Sequence, residues 1–222
     1  MSFSNYPRTG DVANVVVPTE KLEKFVRLAF IWGSFMTIAG AILLAMEPLL
    51  SKESDWESNP ASLIASGGSL LFSLLLGIIF AMFVHKWVRL AWDTTVRARS
   101  LEPRISANAA AWLSVIPIIN LLALVYIMDF LVIRSRSSEA RTMGPFSVAS
   151  GDPLATWFCY SLCTQFFMIV ITFFPTFSKL FNTEGLLFSS VDFLIQLICF
   201  LLGYKLSKQV NHQLSKSVRP LI

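Results

Sequence analysis

The chain has 222 residues, 55% of them hydrophobic and 14% charged, with a formal net charge of +4. That balance excludes an ordinary soluble domain and fits an integral membrane protein. No recognised nucleic-acid motif or folded basic domain accompanies the positive excess, so nucleic acid is not an expected partner. The excess reads instead as a marker of one membrane face and an attraction to anionic lipid.

The first 18 residues are polar with a short Val15–Val17 run, and residues 1–24 read as a cytoplasmic tail. Residues 25–204 read as a single membrane domain, and 205–222 as a second cytoplasmic tail. A helix needs about 20 apolar residues to cross the hydrocarbon. Four stretches meet this, at about 28–46, 63–84, 154–174 and 186–204. The first follows Lys21, Lys24 and Arg27 with no small-residue cleavage site after it, so it reads as a signal anchor. Asn59-Pro60 and Asp152-Pro153 each pair a capping side chain with proline at the first helical position, and start the second and fourth apolar segments.

After the second span the pattern continues as a basic helix. Arg89, Asp93 and Arg97 share one face, and Trp87, Leu90, Ala91 and Ala98 another. An amphipathic helix lying at headgroup level is the expectation. The third apolar segment, 109–133, is interrupted by Pro117 and Asn120. Proline removes a helix hydrogen bond and kinks the chain. If this segment crosses fully, the 18 Lys and Arg divide ten to eight between the two sides. If it dips in and returns, they divide sixteen to two, with only Lys52 and Lys179 outside. The positive-inside rule favours the second arrangement. The expected fold is therefore all-α and integral to the membrane. It has four transmembrane helices plus one re-entrant or interfacial broken helix, and both termini cytoplasmic. Trp87, Trp92, Trp112 and Trp157 fall near the cytoplasmic ends of segments, where indoles anchor.

Small residues recur every fourth position in the first span, including Gly33, Thr37 and Ala41, and in the second, including Ser66, Ser73 and Gly77. Such faces let backbones approach closely, so spans one and two are expected to pair through them. Gln165 and Gln196 lie near the middle of the last two spans and are expected to hydrogen-bond to each other. Asp192, one turn outward from Gln196, is a membrane carboxylate and hence a candidate site residue. Asp129 is expected to pair with Arg134 or with the basic helix.

Chemistry-bearing clusters are sparse. No nucleophile–base pair, metal set or nucleotide loop stands out, so neither catalysis nor a cofactor or metal is expected. Cys159, Cys163 and Cys199 lie within spans and read as small packing residues. His85 is the candidate axial ligand for a haem or chlorophyll-type group, since imidazole is the usual one; it reads better as an interface polar residue.

Several of these residues carry a resemblance. Trp87 and Arg89 open the basic stretch, and Trp112, "IPIINL" at 116–121, Asp129 with Arg134, and "DPLATW" at 152–157 follow. Together the stretch resembles the bacterial domain of unknown function 4328 family. That resemblance implies a bacterial inner-membrane protein with several spans and supplies no activity. The function expected is a non-enzymatic accessory or structural subunit, with the lipid bilayer and other membrane subunits as partners. The alternative is a small-solute transporter or channel component using the broken third segment.

Overall fold

A computed structural model describes residues 17–50, 60–99, 103–116, 119–136, 152–173 and 186–217. All regular structure among them is helical. The elements are α1 (Thr19–Leu50), α2 (Pro60–Arg99), α3 (Ala107–Leu113), α4 (Ile119–Arg136), α5 (Pro153–Phe173) and α6 (Leu186–Ser217). Four of these, α1, α2, α5 and α6, are long and apolar enough to cross a membrane. Among the described residues, α4 contributes a shorter apolar run, Ala123–Val132.

Local chemistry sets the helix starts. Proline occupies the first position of α2 and of α5, where its missing N–H costs nothing. Asp152 caps α5, its Oδ1 accepting from the Leu154 backbone N–H at 3.0 Å. Ser106 does the same for α3 through Ala109 N–H at 3.2 Å. Asn59 and Pro117 lie outside the described residues. The side chains of Ser66, Ser73 and Arg134 do too, although their backbones are helical.

The core gathers at one end of the bundle. Leu22 and Val26 of α1 meet Trp87, Val88, Ala91, Trp92 and Val96 of α2, and Leu206, Val210 and Leu214 of α6. Ala110, Ala111, Ile127, Met128, Leu131 and Val132 from α3 and α4 complete it, with Phe158 and Leu162 of α5. The same end carries the exposed basic side chains Lys24, Arg27, Lys86, Arg89, Lys205, Lys208 and Lys216. At the other end the spans show large apolar side chains outward, Phe35, Ile38, Leu71, Phe72, Leu75, Ile78, Phe167, Leu194 and Ile198 among them. A soluble fold would bury these residues, whereas a bilayer covers them.

Three expectations change here. The basic stretch after the second span does not lie along a surface. It continues α2 as the axis of the core, with Trp92 fully buried and stacked on Phe130 at 4.0 Å between centroids. Its charged face does stay outside, where Arg97 and Asp93 pair at 2.9 Å. The reason is that α3 and α4 wrap α2: Trp112 meets the His85 ring at 4.8 Å and Tyr126 lies 6.3 Å from Trp92. Secondly, both expected tails contain ordered helix. α1 begins at Thr19 with Leu22 buried, and α6 runs on to Ser217 with Leu206, Val210 and Leu214 buried.

The third change concerns the small faces. α1 and α2 do pack together, and the nearest side-chain atom to a methyl at Gly77 would be Met36 of α1 at 3.9 Å. Gly33, however, turns to α6, where an added methyl would overlap the Phe200 ring. Gly40 faces Phe193 in the same way, at 3.5 Å. Two glycines seven residues apart thus receive two phenylalanines seven residues apart on an antiparallel helix. Phe30 stacks on Tyr204 one turn further along, at 4.1 Å. Gly33 and Gly40 of α1 thus face aromatic rings of α6, while α1 also packs on α2 beside Gly77.

Candidate functional site

The register of α5 against α6 places the polar residues of the two spans. Asp152 Oδ2 accepts from Gln209 Nε2 at 2.6 Å. One and a half turns into α5, Phe158 packs on Gly203, whose added methyl would lie 3.1 Å from the ring. Ser161 and Cys199 meet in the next turn. Antiparallel continuation of these pairs brings Gln165 level with Gln196. The face is the same as well: Gln165 follows Phe158 by seven residues, and Gln196 precedes Gly203 by seven. Seven residues is close to two helical turns, so each glutamine projects along the line of a residue at the α5–α6 contact.

The equal depth agrees with the sequence reading, but the expected bond between the glutamines is not made. Gln196 Nε2 donates instead to Asp192 Oδ2 at 2.7 Å, an i, i+4 pair within α6. The lower residues on the same two lines of α6 are covered. Cys199, Leu206 and Val210 are all buried. Gln196 is nevertheless exposed, and Asp192 and Gln165 are half-buried. The seam between α5 and α6 is therefore closed where α4 packs against both helices; one turn further out these three polar residues are at least partly exposed, while Met168 and Ile171 of α5 stay buried. Thr37 of α1 gives its hydroxyl to the Gly33 carbonyl at 2.9 Å. Ala41 stands exposed one turn beyond it.

The second polar region lies at the basic end. Trp87 Nε1 donates to Asn211 Oδ1 at 3.0 Å, tying α2 to α6, as the Asp152–Gln209 bond ties α5 to α6. Thr94 and Thr95 give their hydroxyls to Leu90 and Ala91 carbonyls, both at 2.7 Å. Asp129 is buried in α4. His85 Nε2 and Trp92 Nε1 are buried without a hydrogen-bond partner in the structure. Sequence reasoning missed Gln209 and Asn211 because they fall beyond the last apolar stretch. It also missed Phe193 and Phe200, although their seven-residue spacing repeats that of Gly33 and Gly40.

Among the described residues, no three His, Cys, Asp or Glu side chains gather as a metal set. Cys159 and Cys199 are buried and Cys163 is exposed, all as free thiols. Asn120 donates its backbone N–H to the Ile116 carbonyl at 2.8 Å across the break between α3 and α4.

Helix lengths, apolar faces and composition define a multi-pass helical membrane protein. No protein-family model, curated protein or solved structure matches the chain.

Proposed function

We propose that this protein is a non-enzymatic accessory subunit of a larger complex in the bacterial inner membrane, with both termini cytoplasmic. The carrying observation is the polar set at the seam of α5 and α6. Asp192 is the sole charged residue in the four apolar stretches 28–46, 63–84, 154–174 and 186–204. It and Gln196 satisfy one hydrogen bond with each other and otherwise stand at an open face. Polar groups in hydrocarbon are costly unless paired. A neighbouring subunit seated there would remove that cost.

The same reading treats α3 and α4 as a re-entrant hairpin. Trp112 near the end of α3 touches His85, and Phe130 in the second half of α4 stacks on Trp92, seven residues closer to the α2 C-terminus. A chain that meets α2 in that order turns back toward the side it came from. The sixteen-to-two division of Lys and Arg supports the same topology. The exposed indoles Trp112 and Trp157 suit the headgroup layer of that side.

Extraction in mild detergent, followed by mass spectrometry of the intact assembly, tests the proposal. A stoichiometric complex with other membrane proteins is the expected result. A lone chain of 24.8 kDa or its homo-oligomer carrying a bound small molecule would favour the second reading, a solute carrier built around the break between α3 and α4. Irregular backbone at depth is tolerated where it lines a cavity or is buried in protein, which is what motivates that reading.

A further inference from the structure

We infer that the outer part of the α5–α6 seam receives a transmembrane helix bearing a lysine or arginine near mid-membrane, with Asp192 as its counter-charge. This inference rests on the accessory-subunit reading and names the chemistry of the partner. Three observations define the occupant. The first is depth: Asp192 lies twelve residues from Tyr204, about 18 Å along the helix at 1.5 Å per residue, and Gln196 about 12 Å. Both are inside a hydrocarbon layer about 30 Å thick. The second is direction. Asp192 and Gln196 precede Cys199 and Gly203 by seven residues each, so they point into the α5–α6 seam rather than to the opposite face, where Val191, Leu194, Ile198 and Leu201 are exposed. The third is charge. The seam offers a carboxylate and the amides of Gln165 and Gln196, and the four apolar stretches contain no Lys, Arg or His to balance Asp192.

A cation complements this set. Its N–H groups donate to the Asp192 carboxylate and to the Gln165 and Gln196 amide oxygens, and the pair enters hydrocarbon as a neutral unit. The seam runs along two helices, which suits a third helix better than a free solute. α4 already occupies the equivalent position against α5 and α6 nearer the basic end.

The test uses the full chain, donor-labelled and reconstituted in phosphatidylcholine vesicles. Acceptor-labelled synthetic peptides span the bilayer as a leucine–alanine helix with a single central lysine, or with leucine in its place. Energy transfer should saturate with the lysine peptide at about tenfold lower peptide density than with the leucine peptide, in keeping with close charge pairs across protein interfaces. Moving the lysine two turns toward the headgroups should abolish the preference, a control that leaves the protein unaltered. Asp192→Asn should abolish it too, and Gln165→Leu should weaken it. Equal transfer from the two peptides, or an unchanged preference in Asp192→Asn, overturns the inference. So does thermal stabilisation by methylammonium that Asp192→Asn removes, if the lysine peptide shows no preference; the seam is then a solute site. A missing native complex in detergent would sink the accessory-subunit reading by itself, whatever the peptide result.

Discussion

At the scale of single residues, equivalent-looking positions have unequal neighbours. Gly33 and Gly77 both belong to small-residue repeats, yet a methyl at Gly33 collides with the Phe200 ring, while one at Gly77 makes ordinary contact with Met36 at 3.9 Å. Gly33→Ala is therefore expected to destabilise by about 1–3 kcal/mol through overpacking. Gly77→Ala should be neutral or stabilise by up to about 1 kcal/mol, because alanine is the better helix former. Unfolding in mixed detergents measures both. Adding Phe200→Leu should recover much of the Gly33→Ala loss, since contacting residues couple. Equal effects at the two glycines would contradict the α1–α6 packing. The repeats themselves were legible in the sequence, but their partner was not. Spacing shows that a face is small, and only the third dimension shows whether a small or an aromatic residue sits opposite. The glutamines teach the same lesson. Their common depth follows from counting residues, whereas the choice of Asp192 as the acceptor for Gln196 follows from the nearer i+4 geometry within one helix.

At the scale of elements, α2 departs most from its sequence reading. Its start at Pro60 and its continuation past the apolar stretch were legible, and so was its charged face. Lys86, Arg89 and Arg97 gave the stretch the look of a surface helix, and its burial depends on α3 and α4, whose packing no local pattern encodes. The two buried tryptophans of α2 make this testable. Trp87 Nε1 donates to Asn211, whereas Trp92 Nε1 is without a partner. Trp87→Phe leaves the Asn211 amide oxygen unsatisfied and should cost about 1–3 kcal/mol beyond the change in packing. Trp92→Phe loses no hydrogen bond and should cost less, while Trp92→Ala should cost about 3–5 kcal/mol through the cavity it opens. A larger loss for Trp92→Phe than for Trp87→Phe, measured under one set of detergent conditions, would contradict this assignment. The start of α5 offers a parallel case. Asp152→Ala removes both the cap on Leu154 and the acceptor for Gln209, at about 1 kcal/mol each. Asp152→Asn keeps Oδ1 as the cap acceptor and presents its Nδ2–H to Gln209, whose amide can turn its oxygen to accept, so it should lose less.

At the scale of the whole molecule, the chain is packed at one end and open at the other. Among the described residues, the exposed basic side chains lie at the end where the core is tight, and many of the large exposed apolar side chains lie along the spans beyond it. Hydropathy made the four spans legible because lipid and protein interior both select apolar side chains. For the same reason it could not tell a crossing segment from a buried hairpin. Residues 109–133 are apolar enough for either, and they owe this to packing on α2 and α5 as much as to any lipid. Charge distinguishes the two, and the proposed topology carries a definite consequence. The links after α2 and after α4, and the end of α6, should all face the cytoplasm. Single cysteines at Ser100, Ser137 and Ser217, in a chain whose three native cysteines are replaced, should resist a membrane-impermeant thiol reagent added outside intact cells and react after the membrane is opened. A cysteine at Ser58, between the first two spans, should react in both conditions and serves as the outside control. Reaction at position 137 from outside, with 100 still protected, would mean that residues 109–133 cross. The Lys and Arg would then divide ten to eight, and the exposed Trp112 and Trp157 would belong to opposite headgroup layers. Protection at 100, 137 and 217 together leaves α3 and α4 as a hairpin on the basic side, packed around α2 where the ring contacts of Trp112 and Phe130 already place them.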